Sequence, residues 1–495
     1  MNPNWTPMHW PCGPIEAARL AAKQSLTPEL KEALAAWAEP QSLELIKGTP
    51  VNCLVVPWAA GKPDDKEHQE TLAALVRAGI ASGLSLVGEV TAKSDLGPVI
   101  EAGLKSGLSG FMVPTLDGLP KDAPAILRTP RSEVPWESAT SPLAITDNQW
   151  PGLGLDTTKG DTAQGGPTGV PWVNSNGWYS LLARKLSRGK SIWLEYDPPD
   201  SFDLAHPATY TLAIADSAAY GSRWVISLDG QLRSGLTRKD ARAASTWGKI
   251  AACLEFFKEK EAWFAFQPEG SLAVISNYRG DDEFMAAEIL NLLARRFVQF
   301  NIIERSEAAS AALGEVKAVL WVDSAEPSAE VRSKLAAFVQ QGGLLITPTN
   351  WGLSQANPTA GGILDHYEVR ALGKGRVAVA KEGFKDPYDV AVDTHLLLSH
   401  RNDWARVFNI TAANAYCCAD PQRHRRLVQV LNYASSEPEH PVSVWVKTTD
   451  QTVRFWRLGE KQPVTLRGIP AVGGMEFQLP SISAYAALEF ELRGV

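Results

Sequence analysis

Lys190-Ser-Ile-Trp-Leu-Glu195-Tyr-Asp197-Pro-Pro199 is a short apolar run that ends in carboxylates and is stopped by two prolines. Pro142-Leu-Ala-Ile-Thr-Asp147-Asn-Gln-Trp150 repeats the plan. Apolar runs of strand length without a polar face belong in a sheet covered on both sides, and such sheets pair in parallel through crossover helices. Working outward, the same unit recurs. Strands are expected at 51–58, 84–90, 111–114, 125–128, 143–147, 191–196, 211–215 and 224–228, with helices at about 67–82, 95–106, 174–187 and 245–261 between and after them. Eight strands in this alternation predict an α/β fold, a (β/α)8 TIM barrel over about 45–265. A doubly wound open sheet would place a Gly-rich phosphate loop after its first strand, and none follows Val51–Trp58. Residues 1–50 read as an irregular segment followed by helices at about 14–24 and 28–38, the second opened by Thr27-Pro28.

The rest of the chain changes character twice. Residues 271–276, 300–304, 318–322 and 344–347 are strands alternating with helices at about 281–297 and 328–340, a small flavodoxin-like layer. From about 365 the runs are short, β-branched and closely spaced (376–380, 426–433, 442–447, 453–458, 475–479, 484–492), as in an antiparallel β-sandwich, with a helix at about 390–406 before most of them. The expected domains are 1–265, the barrel with its N-terminal extension; 266–362, a structural or oligomerisation module; and 363–495, the sandwich.

Composition narrows the class of function. The chain has 495 residues and a net charge of −7. With no Lys/Arg stripe to displace counterions, a nucleic-acid partner is not expected. No apolar run approaches the roughly 20 residues that span a bilayer, so no membrane partner is expected either. A basic-then-apolar leader is missing, which fits a cytoplasmic protein or a mature periplasmic or secreted form. Five Cys and eight His are scattered without metal spacing, so neither metal nor cofactor is expected. The 17 Trp are unusual, and many flank Pro, Gly or Asn, where a flat apolar face suits a sugar ring.

Active sites of parallel barrels form where the strands end, and hydrolysis of a sugar bond needs two carboxyl groups flanking it. The carboxylates at predicted strand ends are therefore the catalytic candidates. Glu195 and Asp147 lead, with Asp216 and Glu89 behind them. Glu195 shares a face with Trp193, a bulky side chain for a barrel interior. Arg128, Trp150, Trp172, Asn174, Asn176 and Trp178 are the substrate-binding candidates, most of them around the loop of 148–171 and Gly165-Gly-Pro-Thr-Gly-Val-Pro-Trp172-Val-Asn174-Ser-Asn176-Gly-Trp178. Asn174 would also cap the helix that follows. His9, beside Trp10, is placed to cover the barrel mouth, and Asp197 and Asp229 read as turn anchors.

A barrel, then a flavodoxin- or amidotransferase-like layer, then a β domain containing Leu427-Val-Gln-Val-Leu-Asn432-Tyr433, Met475-Glu-Phe-Gln-Leu-Pro480 and Ala484-Tyr-Ala-Ala-Leu-Glu489 resembles the three-domain β-galactosidases of family 42 and related bacterial glycoside hydrolases. The resemblance implies a glycoside or oligosaccharide substrate, is compatible with a homo-oligomer, and implies a Glu at the ends of the fourth and seventh strands. Counted from Val51, those strands end at Arg128 and at Ala215-Asp216, and neither supplies a Glu. The stretch Val319-Leu-Trp-Val-Asp323-Ser324 lacks the Cys that amidotransferase chemistry uses. The expectation is thus a glycoside hydrolase, with a non-catalytic carbohydrate-binding barrel and a sugar lyase or isomerase as alternatives.

Overall fold

The computed structural model describes residues 4–22, 26–93, 96–136, 141–154, 172–187, 189–198, 208–358, 364–434 and 436–492. They form two compact units, one of residues 1–151 and 183–264, the other of residues 152–182 and 265–495.

The first unit is a barrel of eight parallel strands. They are β1 (Pro7–His9), β2 (Cys53–Ala59), β3 (Ser85–Val90), β4 (Gly110–Val113), β5 (Ala125–Thr129), β6 (Leu143–Ile145), β7 (Ile192–Leu194) and β8 (Arg223–Trp224), each hydrogen-bonded to the next. The ring closes between its ends. Met8 pairs with Ile226 in parallel, the His9 N–H donates to the Ile226 carbonyl at 2.8 Å, and the Ile226 N–H donates to the Pro7 carbonyl at 3.1 Å.

Two expectations change here. The first strand is Pro7–His9, within the segment read as irregular. Three residues between Thr6 and Trp10 are too short to display a period, and a proline at the first strand position costs no ladder hydrogen bond. In turn, Thr211–Ala215 is not a strand but the middle of a helix, Ala208–Ala219. Every residue from Tyr210 to Ala219 is buried, so no polar face marks the helical period, and its alanines favour the helix. The count of eight stands, but each strand from Val51 to Glu195 moves up by one.

The barrel interior is apolar below its mouth. Cys53, Val55, Val87, Met112, Ile126, Ala144, Trp193 and Val225 pack together with Trp5. Trp193 fits inside because Cys53 and Ala144 are small, and its ring lies 6.2 Å from that of Trp5.

In the second unit, a six-stranded sheet runs in the order Phe300–Glu304, Leu272–Ser276, Ala318–Trp321, Leu344–Thr347, Gly375–Ala380, Tyr367–Leu372, all parallel except the last. Its first four strands follow the doubly wound order 2-1-3-4. The strand at 375–380, expected in the sandwich, instead joins 344–347 in parallel. The tight hairpin around Gly373, with φ +61°, looks antiparallel from local sequence alone. Two further antiparallel sheets, of six and four strands, enclose a core containing Val430, Val444, Phe455, Phe477 and Leu488, and form the β-sandwich. Gln299 ties the two halves of this unit, donating to the Ala415 carbonyl and accepting from the Cys417 N–H, both at 2.8 Å. Among the described residues, no helix is long and apolar enough to cross a membrane.

Candidate functional site

Side chains alternate along a strand, so residues two apart share a face. Two residues beyond Pro7, Val87, Ile126 and Trp193 stand His9, Glu89, Arg128 and Glu195. They come from β1, β3, β5 and the end of β7, the alternate strands that build one layer of a TIM barrel. In the layers below, the side chains are apolar; in this one, all four are polar, and it lies at the C-terminal mouth.

The four side chains are joined. Arg128 Nε donates to Glu195 Oε2 at 2.8 Å and Nη2 to Glu195 Oε1 at 3.1 Å. Nη2 is also 3.8 Å from Glu89 Oε1. His9 Nε2 is 3.1 Å from Glu89 Oε2. Since one nitrogen lies 3.1 Å from an oxygen of Glu195 and 3.8 Å from one of Glu89, those oxygens are no more than roughly 7 Å apart, within the range over which glycosidase carboxyl pairs operate. His9, Glu89 and Glu195 are buried, while the Arg128 side chain is 27% exposed. Burial raises the Glu89 carboxyl, but the hydrogen bond and charge of His9, with the charges of Arg128 and Arg19, outweigh it and hold Glu89 well below the usual carboxylate range.

Neighbouring elements fix this layer. The Glu195 N–H donates to the Ile145 carbonyl at 2.8 Å, which carries the β6–β7 ladder one residue past β7. Asn148 Nδ2 donates to the carbonyls of Ile145 at 2.6 Å and Glu195 at 3.2 Å and locks the Glu195 backbone. A second set of charges follows β1 on the helix Gly13–Ala21. Glu16, fully buried, accepts from Arg19 Nε at 2.8 Å and from Arg233 Nη1 at 3.1 Å, and Arg19 Nη1 lies 3.5 Å from Asp197. Gly13 permits the sharp entry to that helix. Its φ is +79°, and a Cβ there would sit 2.6 Å from His68 Cε1.

The other candidates lie elsewhere. Asp147 follows β6, an even strand, and is exposed; its carboxylate accepts a hydrogen bond from the Arg131 N–H. Asp216 is fully buried within the helix Ala208–Ala219. Asp229 caps the helix Gly230–Thr237 and accepts from Tyr210 Oη at 2.7 Å. Trp150 sets its ring edge-on against Tyr210 and Trp224, each at 5.4 Å. The remaining binding candidates belong to the second unit. Asn174 ends the short strand Trp172–Asn174, so Asn176 rather than Asn174 precedes the helix Gly177–Leu186. Trp178 is buried against Tyr179 and Tyr278. The Trp172 side chain and residues 155–171, including the Gly-rich loop, lie outside the described residues.

Sequence reasoning placed Glu89, Arg128 and Glu195 at strand ends and His9 near the mouth, but it did not join them. It missed Glu16, Arg19 and Arg233. The available signal was the odd-strand spacing, which becomes readable only once Pro7–His9 is counted as a strand. None of the five cysteines forms a disulfide, and all are buried.

No family model and no curated protein matches the chain in sequence. Solved structures do match. Alpha-L-fucosidase isoenzyme 2 from Paenibacillus thiaminolyticus aligns over 99% of this chain and 100% of its own, at 11% identity and a TM-score of 0.56. A polyextremophilic β-galactosidase from the Antarctic haloarchaeon Halorubrum lacusprofundi aligns over 98% of this chain and 99% of its own, at 11% identity and a TM-score of 0.50. A catalytic mutant of a GH42 β-galactosidase from G. stearothermophilus covers 86% of this chain and 67% of its own, at 11% identity and a TM-score of 0.44. The chain thus has the barrel-and-sandwich fold of solved glycoside hydrolases along its whole length.

Proposed function

We propose that the protein is a glycoside hydrolase whose reaction takes place on the polar layer of the barrel. The observation that carries this reading is the spacing of two buried carboxylates, Glu89 and Glu195, within roughly 7 Å at the C-terminal ends of barrel strands. With Pro7–His9 counted, Glu195 ends the seventh strand, where the resemblance to family 42 implies the nucleophile. The fourth strand runs into Val113-Pro114-Thr115 and offers no carboxylate, so the proton must come from another group. The His9–Glu89 pair meets that need, because a single proton shared between Nε2 and Oε2 at 3.1 Å can be given up and recovered.

In the first step a Glu195 oxygen bonds the anomeric carbon as its bond to the leaving oxygen breaks, and that oxygen takes the proton of the His9–Glu89 pair. In the second step water attacks the same carbon, Glu195 departs as a carboxylate, and the proton of the water returns to the pair. Arg128 has to release Glu195 before the first step begins.

The test uses a panel of 4-nitrophenyl glycosides. On a cleaved substrate, Glu195→Gln is expected to lose at least about 1,000-fold in kcat. Azide is expected to restore product formation in Glu195→Ala as a glycosyl azide of inverted configuration. Wild-type-like turnover in Glu195→Gln would sink the assignment. The grip of Arg128 on Glu195 also favours a second reading, a carbohydrate-binding barrel without turnover. Calorimetric sugar binding with no cleavage of any panel member would select it.

A further inference from the structure

Arg128 stands where a substrate should. Its guanidinium bonds both oxygens of Glu195 and reaches Glu89 with the same Nη2, so one cation occupies the gap between the two carboxylates. No other charged side chain among the described residues pairs with Glu195. If a neutral sugar displaced Arg128 toward solvent, it would leave Glu195 buried, ionised and unpaired, the costly way to break a buried ion pair. A sugar that carries its own anion changes this balance. Arg128 Nη1 has no hydrogen-bond partner among the described residues, and the side chain is a quarter exposed, so the guanidinium can turn outward about its long stem and keep an anionic partner. A planar guanidinium fork matches a carboxylate edge to edge. Arg19, also partly exposed, adds its charge close enough to act on Glu89.

We infer that the substrate is an anionic glycoside, in first place a uronide, and that Arg128 exchanges Glu195 for the sugar carboxylate, releasing the nucleophile only when an acidic sugar is seated. The inference rests on the glycosidase reading above. It makes Arg128 a specificity-determining residue.

The experiment compares 4-nitrophenyl glucuronides and galacturonides, both anomers, with the matching glucosides and galactosides, and titrates free glucuronate and glucose into the full chain by calorimetry. The expected result is a kcat/KM at least about 100-fold higher for a uronide than for its neutral analogue. In Arg128→Gln, that ratio is expected to fall to within about tenfold. Calorimetry on the unmutated protein covers the case in which Arg128→Gln does not fold: glucuronate is expected to bind and glucose not. Neutral glycosides cleaved as fast as uronides, with turnover lost in Glu195→Gln, would overturn the inference and leave the glycosidase reading standing. Glucuronate binding without cleavage of any substrate would support the anionic ligand and remove the glycosidase reading. Failure of glucuronate to bind and of uronides to turn over would overturn the inference outright.

Discussion

Arg128 holds both carboxylate oxygens of Glu195, at 2.8 and 3.1 Å, from two strands away across the barrel mouth. This pair clamps β5 to the end of β7. Arg128→Met leaves Glu195 buried without a counter-charge and beside the carboxylate of Glu89, and is expected to cost about 3–5 kcal/mol of stability at neutral pH. Adding Glu195→Leu to Arg128→Met should recover part of that loss, because an apolar pair needs no counter-charge. Urea unfolding of the single and double variants measures the coupling, and strictly additive losses would show that the two side chains do not depend on each other.

Glu89 sets an acid limit on stability. Its folded carboxyl titrates below its unfolded value of about 4.3, so its contribution is complete above that value and is lost as pH falls toward the folded one. Between pH 6 and pH 3 the wild-type protein is expected to lose stability from this group at a slope that approaches about 1.4 kcal/mol per pH unit at the acid end. In Glu89→Gln this component disappears and the curve flattens. Denaturation midpoints at half-unit pH steps provide the comparison, and parallel curves for the two proteins would contradict it.

Asn148 acts through Glu195 rather than on a substrate. Its amide bridges the carbonyls of Ile145 and Glu195, and Asn148→Ala removes both bonds. The expected outcome is a loss of about 1–3 kcal/mol in stability and a fall in kcat with little change in KM, because Glu195, the proposed nucleophile, is misplaced while the binding walls stay. A change confined to KM would assign Asn148 to binding instead.

Asp147 supplies the contrast. It is exposed and holds the Arg131 N–H, so Asp147→Asn is expected to shift stability by no more than about 1 kcal/mol and to leave kcat within a few-fold of wild type. A collapse of turnover in Asp147→Asn, with Glu195→Gln active, would move the chemistry to β6.

The sequence carried the eight-fold alternation, and it carried Glu89, Arg128 and Glu195 at strand ends. The identity of the eight strands was hidden at two places for opposite reasons. Pro7–His9 is too short to show a period, and Ala208–Ala219 is buried on all sides and shows none. That one-place shift is why a count of apolar runs ends the seventh strand at Asp216 rather than at Glu195. The choice between Asp147 and Glu89 as companion to Glu195 turns on whether a strand is odd or even around the ring. No single apolar run contains that information. The links from Glu16 to Arg19 and Arg233 join residues 16 and 233, and nothing local in either segment announces the other.

The seam where Met8 meets Ile226 also dictates the order in which this barrel can be assembled. Contacts so distant in the chain close late, after the loop entropy between them has been overcome. His9 is delivered to Glu89 by the strand that makes this seam. A barrel built from β1 to β8 but not yet closed already carries His9 beside Glu89 through the β1–β2 ladder, and it leaves β1 and β8 with open edges. Closing the seam removes both edges in one event and holds the strand that carries His9 from both sides. A molecule that fails to close would leave His9 on an open edge strand, held from one side alone.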